Sequence, residues 1–503
     1  MNRVHLLCLF LGALAALAAL PARAATVEYH LVIEEKTVSF TGKPQRALAV
    51  NGTIPAPTLT FREGDLARLH VTNALREDAS IHWHGMLLPN RMDGVPFVTY
   101  PPIKPGQTFD YVFPIRQHGT YWYHSHTALQ EQKGLYGALV ILPRTGGVAG
   151  DRDQAVVLSD WTDGSAHEVL RWLKRGSEFP ALERGTSQSV FGALRAGKFG
   201  DYWKRELLRM PPMDLSDVAY DRFLAHGEPE HRIAAHAGET VRVRLVDGSA
   251  STFFHLQFAG GPLTIVSADG QDVQPLKKKR LLIGVAETYD VLVRPPGPGA
   301  YELRATAHDG SAWASIWIGA GERHPAPNVP HANLYNSMGQ LKPENIFALT
   351  PGGTMGMPDR EVSAGKFDHP GVMGGMMTME EMMGMSGSMK MQPGTAGEMK
   401  HNMPAHGGMK MDGMAMDHAG MAGAAEMPAQ PHNGKNHTWD FTPLGPDVSS
   451  RHPLAMDGME MRPGPPYEDL RSFRNTAISP QPPVPEVRLT LDGDMERYVW
   501  SDQ

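Results

Sequence analysis

Two short stretches carry the densest donor chemistry in the chain: His82-Trp83-His84-Gly85 and His124-Ser125-His126. Each holds two histidines at i and i+2, and on an extended strand that spacing turns both imidazoles to one face. Two such strands side by side would gather four imidazoles into one patch. Imidazole nitrogen suits copper, zinc, iron and nickel, so His82, His84, His124 and His126 are the candidate metal ligands. The plain alternative is strand histidines satisfied by backbone hydrogen bonds. One pair would leave that alternative strong; two pairs in matched β contexts favour a metal. His70 and His118 read as ordinary surface or structural histidines, and Trp83, Trp122 and Tyr123 as packing around the pairs.

A softer donor set lies downstream. Of 29 methionines, 19 fall between Met355 and Met427, alternating with Gly, Asp, Lys, His and Pro. Its candidate ligands are Met373, Met376, Met377, Met382, Met383, Met385, Met389, Met391, Met403, Met409, Met411, Met414 and Met416, with His401, His406 and His418 interspersed. Thioethers favour Cu(I) and imidazoles Cu(II), so the tract is expected to bind copper weakly at several points. A neutral linker would use Gly, Ser and Pro without so much Met. Adaptable partner binding through flexible methionines is the rival reading. The tract has no helical stripe and few large aliphatic residues, so disorder is expected from about 320 to 440.

Thiol chemistry is almost absent from the sequence. The single cysteine, Cys8, sits in an N-terminal segment with Arg3, an apolar run from Leu6 to Leu20, and Ala22-Arg23-Ala24 before Ala25. That pattern reads as a cleaved export signal; the run is shorter than a spanning helix needs. The mature chain would then offer no disulfide, thiolate ligand or thiol nucleophile. A formal net charge of -7 leaves no basic surplus for nucleic acid. No later stretch is apolar enough to span a membrane, so an exported, soluble protein is expected.

The elements that must position the histidines are short strands. At 503 residues, with 53 Gly and 41 Pro, the chain suits two or three turn-rich β domains. Strands are expected around residues 27–33, 66–71, 109–113 and 137–142, with the histidine pairs on two more. This is the pattern of an antiparallel sandwich or Greek-key barrel. A second unit repeats the plan: Gly238-Glu239-Thr240-Val241 echoes Gly64-Asp65-Leu66-Ala67, and His255 follows Gly238 by 17 positions where His82 follows Gly64 by 18. Counting from Gly299-Ala300-Tyr301, Arg304 and Thr306 take the places of His124 and His126, so His255 stands alone as a buried relic. Between the units, Glu168 to Arg175 is a possible helix. Residues 485–492 resemble residues 27–34, as if a third copy begins before Gln503. The expected organisation is a signal over 1–24, a ligand-bearing domain over 25–145, a structural domain over 146–320, a Met-rich linker over 321–440, and linker plus the first strand of a third domain over 441–503.

His-Trp-His-Gly at 82–85, Gly-Thr-Tyr-Trp-Tyr-His-Ser-His at 119–126 and Asn-Gly-x-Ile-Pro-x-Pro at 51–57 together resemble the multicopper oxidases. The Met-rich tract and Gly-Asp-Met-Glu-Arg-Tyr-Val-Trp-Ser at 493–501 resemble, more narrowly, the CopA-type copper-resistance oxidases of the bacterial periplasm. The resemblance implies an all-β chain of tandem cupredoxin barrels, here two complete and a third only begun. It implies copper as cofactor and the coupling of Cu(I) or phenolic-type reductants to the reduction of dioxygen to water. It assigns His82 to the type 2 copper and His84, His124 and His126 to the type 3 pair of a trinuclear cluster. The third domain of that family supplies the remaining cluster histidines and the type 1 cysteine, and no such motif occurs here. The chain alone is therefore expected to be inactive. A non-catalytic copper-sequestering protein and an inactive truncated copy are the alternatives. Expected partners are copper ions, dioxygen with a reductant, and other periplasmic copper-handling proteins.

Overall fold

The computed structural model describes residues 25–148, 150–175, 179–207, 215–329, 334–335, 372–373, 377–378, 469–473, 491–494 and 499–502. Alternation decides the first strands. In β4 (Leu66–Asn73) Ala67, Leu69 and Val71 are buried while Arg68 is exposed, because successive side chains point to opposite faces. β4 lies between β1 (Thr26–Val38), which it pairs in parallel, and β6 (Thr108–Pro114), which it pairs antiparallel; β2 (Gln45–Val50) closes the outer edge. The facing sheet runs β3 (Ala56–Arg62), β8 (Tyr136–Leu142), β7 (Gly119–His124) and β5 (His82–His84). Between the sheets lie Leu31, Ile33, Leu69, Trp83, Tyr111, Phe113, Tyr123 and Leu139. Each such side chain contributes on the order of 1.5–3 kcal/mol on burial.

A second sandwich follows the same plan. One sheet runs β10 (Arg222–Ala225), β9 (Arg152–Trp161), β12 (Val241–Asp247), β17 (Thr288–Val293), β14 (Leu263–Ala268) and β15 (Gln271–Lys278). The other runs β11 (Glu230–Ile233), β19 (Trp313–Ala320), β18 (Gly299–Ala307), β13 (Phe254–Phe258) and β16 (Leu281–Ile283). Four short helices, α1 (Ala166–Arg175), α2 (Phe179–Arg184), α3 (Val190–Arg195) and α4 (Phe199–Leu207), fill the connection from β9 to β10, and the expected helical stretch falls in α1. Both units are two-sheet β sandwiches, the all-β class that the sequence suggests. Residues 323–329, assigned to the linker on composition, instead close onto the second sandwich: β20 (Arg323–His324) pairs with β18, and Ala326 and Val329 are buried.

The two sandwiches share a packed face. β12 is buried on both sides, unlike its counterpart β4, because its outer side meets the first unit. Trp122, Tyr136, Ala138 and Val140 pack there against Ala155, Val157 and Val246. Beside them lies a polar knot. Asp290 receives hydrogen bonds from Arg242 Nε (3.1 Å), Arg244 Nη1 (3.2 Å) and Thr120 Oγ1 (2.6 Å). The backbones come so close that a Cβ at Gly119 (φ +132) would stand 2.2 Å from the Gly270 carbonyl oxygen.

Three later pieces complete the description. Residues 469–473 lie against β15: Gln274 N donates to Arg471 O at 2.8 Å, Val273 bridges to Ser472, and Leu470 packs on the core. β21 (Val372–Met373) pairs with β22 (Met377–Thr378), and β23 (Leu491–Asp494) with β24 (Val499–Asp502), each antiparallel. The rest of the expected third-domain opening, the export signal over 1–24 and the greater part of the Met-rich tract lie outside the described residues. Among the described residues no helix is long and apolar enough to cross a membrane.

Candidate metal centre

The histidines meet because β5 and β7 are antiparallel neighbours in one register: His82 faces His124, Trp83 faces Tyr123 and His84 faces Trp122. Trp83 points into the sandwich, fully buried, so the flanking His82 and His84 point out of the same sheet. Trp122 and His124, two apart on β7, share that outer face. Their rings stack with centroids 4.1 Å apart and 17° between planes, so the indole forms the floor of the site. His126 lies just past the end of β7, where its N–H donates to Ser80 Oγ at 3.0 Å. Ring centroids stand 5.4 Å apart for His82 and His124, 4.9 Å for His82 and His126, 5.5 Å for His84 and His124, and 5.2 Å for His124 and His126. One donor atom from each of His82, His124 and His126 lies within 4.8 Å of the others, and His84 Nδ1 lies 3.3 Å from His124 Nε2.

Residues invisible to motif reading hold the rings. His82 Nδ1 lies 2.7 Å from the Asp93 carbonyl oxygen, so that nitrogen donates and Nε2 is left with its lone pair. The carbonyl reaches it because Gly94 (φ +87) lets the loop press on β5: a Cβ there would stand 1.8 Å from Ile81 O. His124 Nδ1 lies 3.0 Å from Glu131 Oε2 and 3.1 Å from Ser125 O. Below it, Ser125 Oγ donates to Gln130 Oε1 at 2.8 Å, and Gln130 Nε2 donates to Asp78 O at 2.7 Å. Such outer partners fix tautomer and ring orientation at metal sites. Gln130 and Glu131 follow His126 within five positions, but no spacing rule singles them out.

Burial also sets the charge. Desolvation, with His124 and His82 close by, pushes the His84 imidazole down to about 4. Burial likewise lowers His82 and His126, with neighbouring histidines adding to it. These three rings are neutral near pH 7 and able to donate to a metal. The set of clustered neutral imidazoles, with the Glu131 carboxylate beside it, fits borderline cations such as copper.

The remaining sequence candidates fare differently. His255 is not alone. Opposite it in the ladder stands Thr306, the place His124 takes in the first unit, and His308 follows two residues later. His308 Nδ1 lies 3.1 Å from His255 Nε2, with the rings stacked at 5.1 Å. β18 spans nine residues where β7 spans six, so counting from Gly299 misplaces the register. His118 Nε2 lies 3.1 Å from Asp272 Oδ2, joining the two sandwiches rather than a site. Met373 and Met377 fall on the backbones of β21 and β22. Their side chains, and Met376, Met382, Met383, Met385, Met389, Met391, His401, Met403, His406, Met409, Met411, Met414, Met416 and His418, lie outside the described residues.

The multicopper oxidase family matches the chain twice, over residues 32–146 and over residues 152–316. Copper resistance protein A of Escherichia coli is 35% identical over 487 residues, covering 94% of this chain and 76% of that protein. A copper resistance protein A homolog of Pseudomonas syringae pv. tomato is 38% identical over 297 residues, 57% of this chain. The match spans only 50% of that relative's length. Multicopper oxidase MmcO of Mycobacterium tuberculosis is 30% identical over 366 residues, 69% of this chain and 70% of that protein.

Proposed function

The chain belongs to the multicopper oxidase family, whose members bind copper and use dioxygen with a reductant, and we propose that it serves copper resistance in the periplasm, reached by a cleaved export signal. His82 takes a type 2 copper, and His84, His124 and His126 take a type 3 pair. One observation carries the reading: four imidazoles on one sheet face, with the Nδ1 atoms of His82 and His124 already occupied by protein acceptors. Copper held there supplies the one-electron steps of dioxygen reduction. The residues of this chain orient the imidazoles, keep those of His82, His84 and His126 neutral by burial, and place Glu131 where it would balance bound positive charge. The boundaries proposed are domain one over 25–145, a structural domain two from 146 that continues to 329, a copper-binding Met-rich linker from there to 440, and linker with the first strand of a third domain over 441–503.

The four histidines are proposed as half of a trinuclear cluster. Leu87, Phe97 and Val98 support this: they leave large apolar side chains open on the loop that also carries Asp93, a surface suited to being covered. The only cysteine of the 503 residues is Cys8, so no thiolate is available for an electron-entry copper beside the cluster. Assays of the purified 503-residue chain with phenols or Cu(I) are expected to show no turnover; robust dioxygen consumption would overturn this. Copper titration followed by electron paramagnetic resonance is expected to show imidazole-bound Cu(II) that H82A and H126A both lose. Spectra unchanged in both variants would remove the assignment.

A second, non-catalytic reading is favoured by the 19 methionines between Met355 and Met427: copper buffering by the tract. Cu(I) titration of the chain and of one deleted for 355–427 separates the readings. A clear loss of stoichiometry on deletion supports buffering, and equal stoichiometry excludes it.

A further inference from the structure

We propose that Glu28, His30 and His70 form a second metal site, for Cu(II) or Zn(II), on the outer face of the first sheet. Glu28 and His30 are two apart on β1 and so share a face; His70 on β4 is the ladder partner of His30, and Asp110 on β6 is the ladder partner of His70. Three adjacent strands thus line up imidazole, imidazole and carboxylate. The donor atoms converge: Glu28 Oε1 lies 3.3 Å from His30 Nε2 and 3.1 Å from His70 Nε2, and one ligand atom of each residue lies within 4.8 Å of the others.

Asp110 decides how the site is used. Its Oδ1 lies 2.7 Å from His70 Nδ1, which donates to it and leaves Nε2, 3.1 Å from Glu28 Oε1, as the nitrogen that a cation would take in exchange for a proton. That is the carboxylate–histidine–metal arrangement that orients an imidazole ligand. One nitrogen of each imidazole and a carboxylate oxygen thus converge on one point, and a cation placed there would replace the proton that now links His70 to Glu28. Two imidazoles with one carboxylate oxygen suit Cu(II) and Zn(II) over the oxygen-seeking Mg(II) and Ca(II). The His30 side chain is 74% exposed, which leaves room for water or an exchanging ligand to complete the coordination. Trp83 and the sandwich core separate this face from the four-histidine face, so the two sites load independently.

Zinc titration of the full chain against a chromophoric chelator tests the proposal, with Cu(II) as a second arm. Wild type is expected to bind one ion more than the double variant H30A/H70A. H30A alone is expected to weaken that ion at least tenfold, and D110N by about 10–100-fold, the usual cost of losing an outer-shell partner. Equal stoichiometry and affinity in wild type and H30A overturns the proposal and leaves an ordinary ion-pair network. Because His30 is exposed, H30A is expected to fold, so the comparison decides the matter even where the double variant does not fold.

Discussion

Asp93 and Glu131 each touch one imidazole, yet they set which nitrogen of His82 and of His124 is free to bind. Removing the Glu131 carboxylate in E131A is expected to lower copper affinity by about 10–100-fold without unfolding the chain, as measured by competition titration. Proton linkage belongs at this scale too. The His84 imidazole is held at about 4 in the folded chain against 6.5 for a free side chain. Between those values the unfolded state binds more protons, so stability rises with pH. The contribution is fully present above pH 6.5 and is lost as pH falls toward 4; His82 and His126 shift the same way. Urea unfolding of the metal-free chain is expected to show this slope, and H84Q to flatten it. The four ligand candidates were legible in sequence because i, i+2 spacing on a strand fixes a face. Asp93 was not, since it acts through a backbone carbonyl that Gly94 admits, and a carbonyl leaves no mark on residue type.

At the scale of elements, β7 has two tasks on one face. Thr120 enters the polar knot between the sandwiches, Trp122 packs into their shared core, and His124 reaches the metal centre. The second unit, read in sequence as a structural domain, is thus a buttress for the strand that carries a ligand candidate. Losing Asp290 would strand Arg242 as a buried, uncompensated charge, while Arg244 would keep only its pair with Asp153. D290A is therefore expected to cost about 3–5 kcal/mol in chemical denaturation, with weaker copper binding beside it. The repeat itself was readable from Gly64 and Gly238, but the register within it was not. Matching Gly119 to Gly299 assumes equal strand lengths, and the longer β18 carries Thr306, not Arg304, opposite the first position of the motif.

For the whole molecule, two copies of one sandwich have taken unequal roles, with the four imidazoles on the first and only His255 and His308 paired at the corresponding place in the second. The all-β class was legible because short alternating strands recur with turn residues between them. How tightly the copies pack was not, because the outer face of β12, with Arg242, Arg244 and Val246, looks in sequence like the solvent-facing side of a strand. That face makes the units interdependent. A chain cut to 25–146 would open Trp122, Tyr136, Ala138 and Val140 to water. It is expected to bind a hydrophobic dye strongly and to unfold at a lower denaturant concentration than the full chain.

The indole lying flat on His124 has an optical consequence. A paramagnetic ion bound at that imidazole would sit within a few ångströms of an emitting ring, so Trp122 doubles as a built-in lamp for the centre. Loading with Cu(II) is expected to dim the chain's tryptophan fluorescence, closed-shell Zn(II) to leave it nearly unchanged, and W122F to remove most of the copper response. Among nine tryptophans, this one would report occupancy in real time without any added dye.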